Sequence, residues 1–194
     1  MTCIILIRPG STDYDRQGRI QGTLDIPLNE QGNAEVARVA EELRNKSIDV
    51  MYSPDCQPAM QTAELLAKEL GIKLKKFDPL QNVDHGLWQG MQLGEVKRKF
   101  PKVYRQWQEQ PESVCPPYGE MLSQAEDRVQ AAVVKLLKKH KKNKNTAIGL
   151  VVSEPMASLV SRHLQRGGSA DLWKAIEIRG WWEVLEPVSE TLAP

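Results

Sequence analysis

Cys3-Ile4-Ile5-Leu6-Ile7-Arg8-Pro9-Gly10 is a β-branched apolar run that ends in a cation and two turn formers. It predicts a central strand buried on both faces, since a strand covered on one face alternates apolar and polar residues. A second run of this kind, 147–153, ends at Glu154-Pro155. Residues 49–53 and 72–77 read as two shorter strands. Residues 176–178 and 182–185, separated by Arg179-Gly180, read as a terminal hairpin or edge strands.

Helical spacing fills the intervals. Val36, Val39, Ala40 and Leu43 predict a helix over 30–46. Ala63, Leu66, Ala67 and Leu70 predict one over 61–70, stopped by Gly71. Ala125, Val129, Ala132, Val133, Leu136 and Leu137 line a long helix over 120–142, and 156–164 forms the last. The polar stretch 11–31 reads as a loop, and 86–117 as loop and short helix punctuated by prolines. Strands alternating with helices predict a three-layer α/β/α sandwich with a mostly parallel sheet, in a single domain over 1–194. The functional crevice of such a sheet lies beyond the carboxyl ends of its central strands. Here those ends are Arg8-Pro9-Gly10 and Ser153-Glu154-Pro155.

Composition narrows the function classes. The 194 residues carry a formal net charge of +1, so nucleic acid is disfavoured unless a local patch provides for it. Cys3, Cys56 and Cys115 are widely spaced with no CxxC pair, which argues against a disulfide framework and a zinc site. No metal and no cofactor are expected. The opening apolar run is too short for a signal peptide or a membrane span, so a soluble cytoplasmic protein without membrane attachment is expected.

Several segments carry a more specific signal. Arg8-Pro9-Gly10-Ser11-Thr12 is followed by Gly18-Arg19-Ile20-Gln21-Gly22, then by Asp25-Ile26-Pro27-Leu28-Asn29 and Gly32. Next come Tyr52-Ser53-Pro54-Asp55 with Gln61-Thr62-Ala63, Gly86-Leu87-Trp88-Gln89-Gly90, Pro116-Pro117-Tyr118-Gly119-Glu120, and Gly149-Leu150-Val151-Val152-Ser153. Each block alone is weak; the ordered set resembles the histidine phosphatase superfamily of the phosphoglycerate mutase type. The resemblance runs from about residue 3 to residue 166 and implies that fold.

The family's chemistry fails position by position. The resemblance puts the nucleophilic histidine at Pro9, the second pocket arginine at Pro58, the general acid at Asn82 and the second histidine at Glu154. Of this charged core only Arg8 survives. Proline has no nitrogen to attack phosphorus, so the phosphohistidine step is excluded. The amide of Asn82 cannot protonate a leaving oxygen. Glu154 replaces a donor with a carboxylate, opposing the charge of a transferring phosphoryl group. Arg8 and Glu154 are expected to pair with each other.

Other residues have bland readings beside sharper ones. His85, with Asp84 beside it, is either a relocated nucleophile or a ring packed under the Gly86–Trp88 turn, and packing is favoured. His140 belongs to the basic run 135–144 and is expected on a solvated helix end, where cations suit the helix dipole. His163 is expected on a solvated or half-buried helix face. Cys56 is expected to be packing. Trp181-Trp182, with Trp173 nearby, is either core or an association surface.

The favoured expectation is a non-catalytic protein with a binding, scaffolding or regulatory role, with Arg8, Gly10, Thr12, Gln21, Gly22 and His85 as candidate ligand-binding residues. Its partner would be a small molecule or a protein, with a homodimer or pairing with an active relative both open. The rival is an enzyme with altered chemistry on a small phosphorylated or zwitterionic substrate. That rival needs an open cleft lined by Arg8, His85 and Glu154, whereas a collapsed pocket favours the first reading.

Overall fold

The computed structural model describes residues 2–141, 146–165 and 181–186. The expected strand at 176–178, Trp173 and the far end of the basic run lie outside them. The sheet consists of β1 (Cys3–Ile7), β2 (Val50–Ser53), β3 (Lys73–Lys76), β4 (Ala147–Val151) and β5 (Trp182–Leu185), in the order β3-β2-β4-β1-β5. The first four are parallel, and β5 runs antiparallel along β1. This is the expected mostly parallel α/β architecture.

Alternation along β1 divides its side chains between two layers. Ile4 and Leu6 join one apolar cluster with α6 (Leu122–His140) and α7 (Met156–Gln165). Ile5 and Ile7 join the other, with α2 (Glu30–Leu43) and α3 (Ala59–Leu70). Both faces of the strand are therefore dry, which is why its sequence is continuously apolar. A third cluster, built on Ile20, Trp88, Val96, Trp107 and Val114, lies apart from these two layers.

Local chemistry sets several boundaries. Asn29 accepts from Gly32 N at 2.8 Å and caps α2, and Gly71 ends α3 in the left-handed region at φ 66°. The stretch expected to be wholly loop contains a short helix, α1 (Asp13–Arg16). Thr12 and Asp15 form a reciprocal capping box at its start. Gly10 and Gly32 touch backbone to backbone; a Cβ on either would drive into the other loop's main chain. That contact clamps the exit of β1 against the first turn of α2. Two further helices, α4 (Leu93–Lys99) and α5 (Pro101–Glu109), fill the region of short elements.

His140 differs from expectation. It is 8% exposed rather than solvated, and its Nε2 lies 3.0 Å from the Tyr52 hydroxyl. Burial, with Lys139 and Lys75 close by, lowers its pKa. The charged neighbours turn outward while position 140 continues the apolar stripe of α6. His163 is half-buried, as expected. Cys56 is buried, and that burial raises its thiol pKa, as suits a packing residue. Trp181 and Trp182 both pack against the α2–α3 layer, and Trp182 Nε1 donates to Glu42 Oε2 at 2.7 Å. Among the described residues no helix is long and apolar enough to cross a membrane.

Candidate ligand pocket at the ends of β1 and β4

Arg8 and Glu154 meet because their strands do. Ile7 pairs with Val151, and Val152 N donates to Ile7 O at 3.1 Å, so the two strand exits lie side by side. Arg8 Nε approaches Glu154 Oε1 at 2.7 Å, with side-chain exposures of 10% and 16% that shield the pair from bulk solvent. The expected pairing is present. The other Glu154 oxygen accepts from Ser158 N at 3.1 Å, in the first turn of α7, where the helix dipole favours an anion.

A second carboxylate was missed by sequence reasoning. Arg8 Nη2 lies 3.0 Å from Glu183 Oε1. β5 sets Glu183 opposite Leu6, and Arg8, two residues beyond Leu6, projects to the same face. Its signal was a charged residue inside the apolar run Trp181-Trp182-Glu183-Val184-Leu185. The guanidinium is thus held between two carboxylates. A phosphate dianion approaching Arg8 would meet both, and each charge pair at about 4 Å repels by roughly 1 to 4 kcal/mol between water-like and surface-like dielectric.

The other family positions take structural roles. Pro58 occupies the N-cap of α3 without a side-chain cap bond. Asn82 Nδ2 donates to Gly22 O at 3.1 Å, and Asn82 Oδ1 accepts from Val83 N at 2.9 Å, so its amide braces the loop instead of facing a reactant. Gly10 N donates to Thr62 Oγ1 at 3.1 Å. Gln21 Nε2 donates to Gln57 O at 3.0 Å. Gly22 adopts φ 58°, and a Cβ there would collide with Gln89, whose side chain accepts from Thr23 N at 2.6 Å.

These loops enclose a cavity of about 550 Å³, so the pocket has not collapsed. Arg8, Gly10, Gln21, Gly22 and His85 line it, together with Pro9, Pro58, Asn82 and Glu154. Thr12 does not reach it: fully buried, it is spent on capping α1. Sequence reasoning also missed Asp15, Arg19, Glu120, Trp107 and Trp181 on the wall. They come from segments without strong periodicity; Arg19 and Glu120 stand in the family-like blocks, Trp181 in the tryptophan pair and Asp15 in a capping pattern, but none of these signals marks a pocket wall.

His85 lies edge-on to Trp107, with ring centroids 6.0 Å apart. Burial lowers its pKa to about 4, against a smaller opposing effect of Asp84. Asp84 does not orient the imidazole, because its Oδ1 accepts from Gly86 N at 2.8 Å. The His85 Nδ1 is buried without a hydrogen-bond partner. An activated nucleophile needs an orienting base, and this ring has none among the described residues.

Comparison with known proteins agrees with this fold. The family model of the histidine phosphatase superfamily (branch 1) matches residues 4–179. "Phosphoserine phosphatase 1" of Hydrogenobacter thermophilus is 34% identical over 140 residues, covering 72% of this chain and 66% of that protein. "Metal-independent phosphoserine phosphatase" of Arabidopsis thaliana is 33% identical over 144 residues, covering 73% and 60%. The chain thus spans about two thirds or less of the length of these curated relatives. Among solved structures, Bacillus stearothermophilus YhfR superposes with a TM-score of 0.84 at 20% identity, covering 97% of this chain and 93% of that one. The mycobacterial glucosyl-3-phosphoglycerate phosphatase complexed with VO3 also gives 0.84, at 23% identity, with 98% and 94% covered. With the family model matching most of its length, the chain belongs to the histidine phosphatase superfamily, branch 1.

Proposed function

We propose that this chain is a non-catalytic member of its superfamily, a pseudophosphatase whose pocket serves binding or regulation. The observation that carries this reading is Arg8, clamped between Glu154 and Glu183 beside Pro9. A phosphoryl-transfer site needs a nucleophile and cations free to take up developing charge. Here the nucleophile position is a proline and the surviving guanidinium is neutralised by its own protein.

The open cavity lined by Arg8, His85 and Glu154 meets the spatial requirement of an enzyme with altered chemistry. It does not meet the chemical one, because His85 Nδ1 is buried without a hydrogen-bond partner to orient the ring and Asp84 is engaged by the backbone. Volume without an activated group supports binding more than turnover.

The test is release of nitrophenol from 4-nitrophenyl phosphate. Wild-type protein is expected to give no turnover above the buffer rate, and turnover by wild type overturns the reading. A variant carrying Pro9→His, Pro58→Arg, Asn82→Glu and Glu154→His restores the family positions, but Glu183 still holds Arg8. Any activity gained by this graft is therefore expected to rise further when Glu183→Gln is added.

A further inference from the structure

We propose that the outer edge of β3, with the flank of α6 beside it, binds an acidic segment of a partner protein that joins the sheet as a further strand. This surface is separate from the pocket, since none of its residues lines the cavity, and it does not depend on how the pocket is read. β3 is the terminal strand of the sheet. It pairs with β2 from Val50 opposite Lys73 to Ser53 opposite Lys76. Beyond that pairing, no described residue bonds the main chain of Lys73–Lys76. Such an edge offers a row of donors and acceptors to an extended chain.

The same edge carries charge that the protein leaves unmatched. Leu74 turns to the α2–α3 layer and Phe77 to the α6 layer, so Lys73 and Lys75 lie on the α6 face of β3. Lys75 Nζ is 5.9 Å from the centre of the Tyr52 ring, and Lys139 Nζ, from α6, is 5.3 Å from it. Two ammonium groups thus converge on one buried ring. Arg128 ties the same flank of α6 to Pro79 O and Gln81 O, just past β3. Lys135, exposed, falls between Arg128 and Lys139 at helical spacing. Lys73, Lys75, Lys135 and Lys139 form no ion pair with any described residue, whereas Lys76 is held by Asp55 at 2.6 Å. Burial first, and then Lys139 and Lys75, lower the pKa of His140, as suits a positive field left uncompensated. Lysine on an edge strand is a common guard against aggregation, and that role needs no help from a helix. Here α6 adds two more cations to the flank, where like charges repel until an anion joins them.

The surface selects a peptide among anions. Single-stranded nucleic acid is gripped by exposed rings on which bases stack, and Tyr52 is only 1% exposed; nor does any nucleic acid use the open main chain. An anionic membrane surface is held by inserted apolar side chains as well as by charge, and no exposed large apolar residue among those described lies on β3 or α6. A second copy pairing edge to edge would set lysines against lysines. An acidic strand gains from both features, main-chain bonds along the edge and carboxylates against the cations.

The test uses the full chain and short peptides blocked at both ends: one alternating glutamate and valine, its glutamine analogue, and the acidic sequence N-methylated at every residue. Calorimetry gives affinity, and amide shifts of isotope-labelled protein give the place. The acidic peptide is expected to bind with shifts centred on Lys73–Lys76, about ten-fold tighter than the glutamine analogue, and to lose most of its affinity on N-methylation. Lys73→Glu/Lys135→Glu should weaken it on the order of ten-fold with an unchanged circular dichroism spectrum. Lys97→Glu/Lys102→Glu, which changes net charge equally but lies on α4 and α5, should leave it unaltered. Absence of binding, equal affinity for the glutamine or N-methylated peptide, shifts centred away from β3, or equal effects of the two double variants would each overturn the proposal. So would tighter binding of an oligodeoxythymidine or of phosphatidylserine vesicles, or a concentration-dependent dimer that shields the β3 amides.

Discussion

Replacing Arg8 by methionine tests the clamp most directly. The substitution keeps an unbranched side chain of similar reach and removes the cation, leaving Glu154 and Glu183 on the same vacated position. Removing one partner of a buried ion pair costs about 3 to 5 kcal/mol, because the charge left behind is unsatisfied. Two features place this case at the lower end. Glu154 keeps its bond to Ser158 N at 3.1 Å, and Glu183, with a side chain 26% exposed, retains some water. A loss of about 3 kcal/mol is therefore expected, which for a domain of this size lowers Tm by roughly 6 to 12 °C. Glu154→Gln is milder, at about 1 kcal/mol, since the amide oxygen still accepts and Glu183 still neutralises Arg8. The double variant Arg8→Met/Glu154→Gln removes both charges of this pair, leaving only the more exposed Glu183 without its cation, and should recover part of the Arg8→Met loss. Urea unfolding followed by tryptophan fluorescence reads all four proteins, and the cycle should return a coupling of about 1.5 to 3 kcal/mol. Stability of Arg8→Met within 1 kcal/mol of wild type, or a coupling near zero, would show that the pair contributes nothing and remove the physical basis for calling Arg8 neutralised.

Two other predictions address the pocket surroundings. His85 has a folded-state pKa of about 4 against 6.5 unfolded, so the unfolded chain binds more protons between those values and stability from this group falls as pH drops from 7 toward 4. Relative to His85→Phe, wild type should lose about 2 kcal/mol between pH 7 and pH 5, read as the difference between two urea series; parallel pH profiles would contradict the burial effect. Tyr118 is 89% exposed and adopts φ 61°. A side chain in that left-handed conformation costs roughly 1 to 2 kcal/mol, of which glycine's greater unfolded freedom takes back up to about 1. Tyr118→Gly should raise Tm by a few degrees while Tyr118→Ala does not, and equal melting of the two variants would argue against the strain.

The legible parts of this molecule were those encoded by local pattern. The apolar run of β1 marks a strand buried on both faces, and the two layers packed against it account for Ile4 through Ile7. Arg8 and Glu154 could be paired in advance because the family resemblance sets the ends of their strands side by side. Glu183 could not, because it approaches Arg8 through the antiparallel pairing of β5 on β1, and that register is a non-local fact. Two misses did have local signals. The Thr12-x-x-Asp15 spacing is a capping pattern that announces a short helix inside an apparent loop. His140 lies four residues after Leu136 and three after Leu137, on the buried stripe of α6, and the lysines around it obscured that continuity.

The cavity was the least legible feature, and its cause bears on how such a protein can persist. On the non-catalytic reading, a pocket with Pro9, Asn82 and Pro58 at the reacting positions relaxes only partly into the space they leave. Here the outer wall does not depend on the lost residues. Trp107 packs edge-on against Trp88 at 5.4 Å, Tyr104 at 6.2 Å and His85 at 6.0 Å, within the third apolar cluster apart from both sheet layers. On the opposite side, the Gly10–Gly32 contact fixes the strand-end loops through main-chain atoms, while the side chain of Asn82, at the general-acid position, itself holds Gly22 O. The aromatic wall and the Gly10–Gly32 contact therefore lie outside the family's reacting positions, while Pro9, Pro58, Asn82 and Glu154 line the same cavity. On the non-catalytic reading proposed above, the aromatic wall can keep the cavity open whatever stands at the reacting positions.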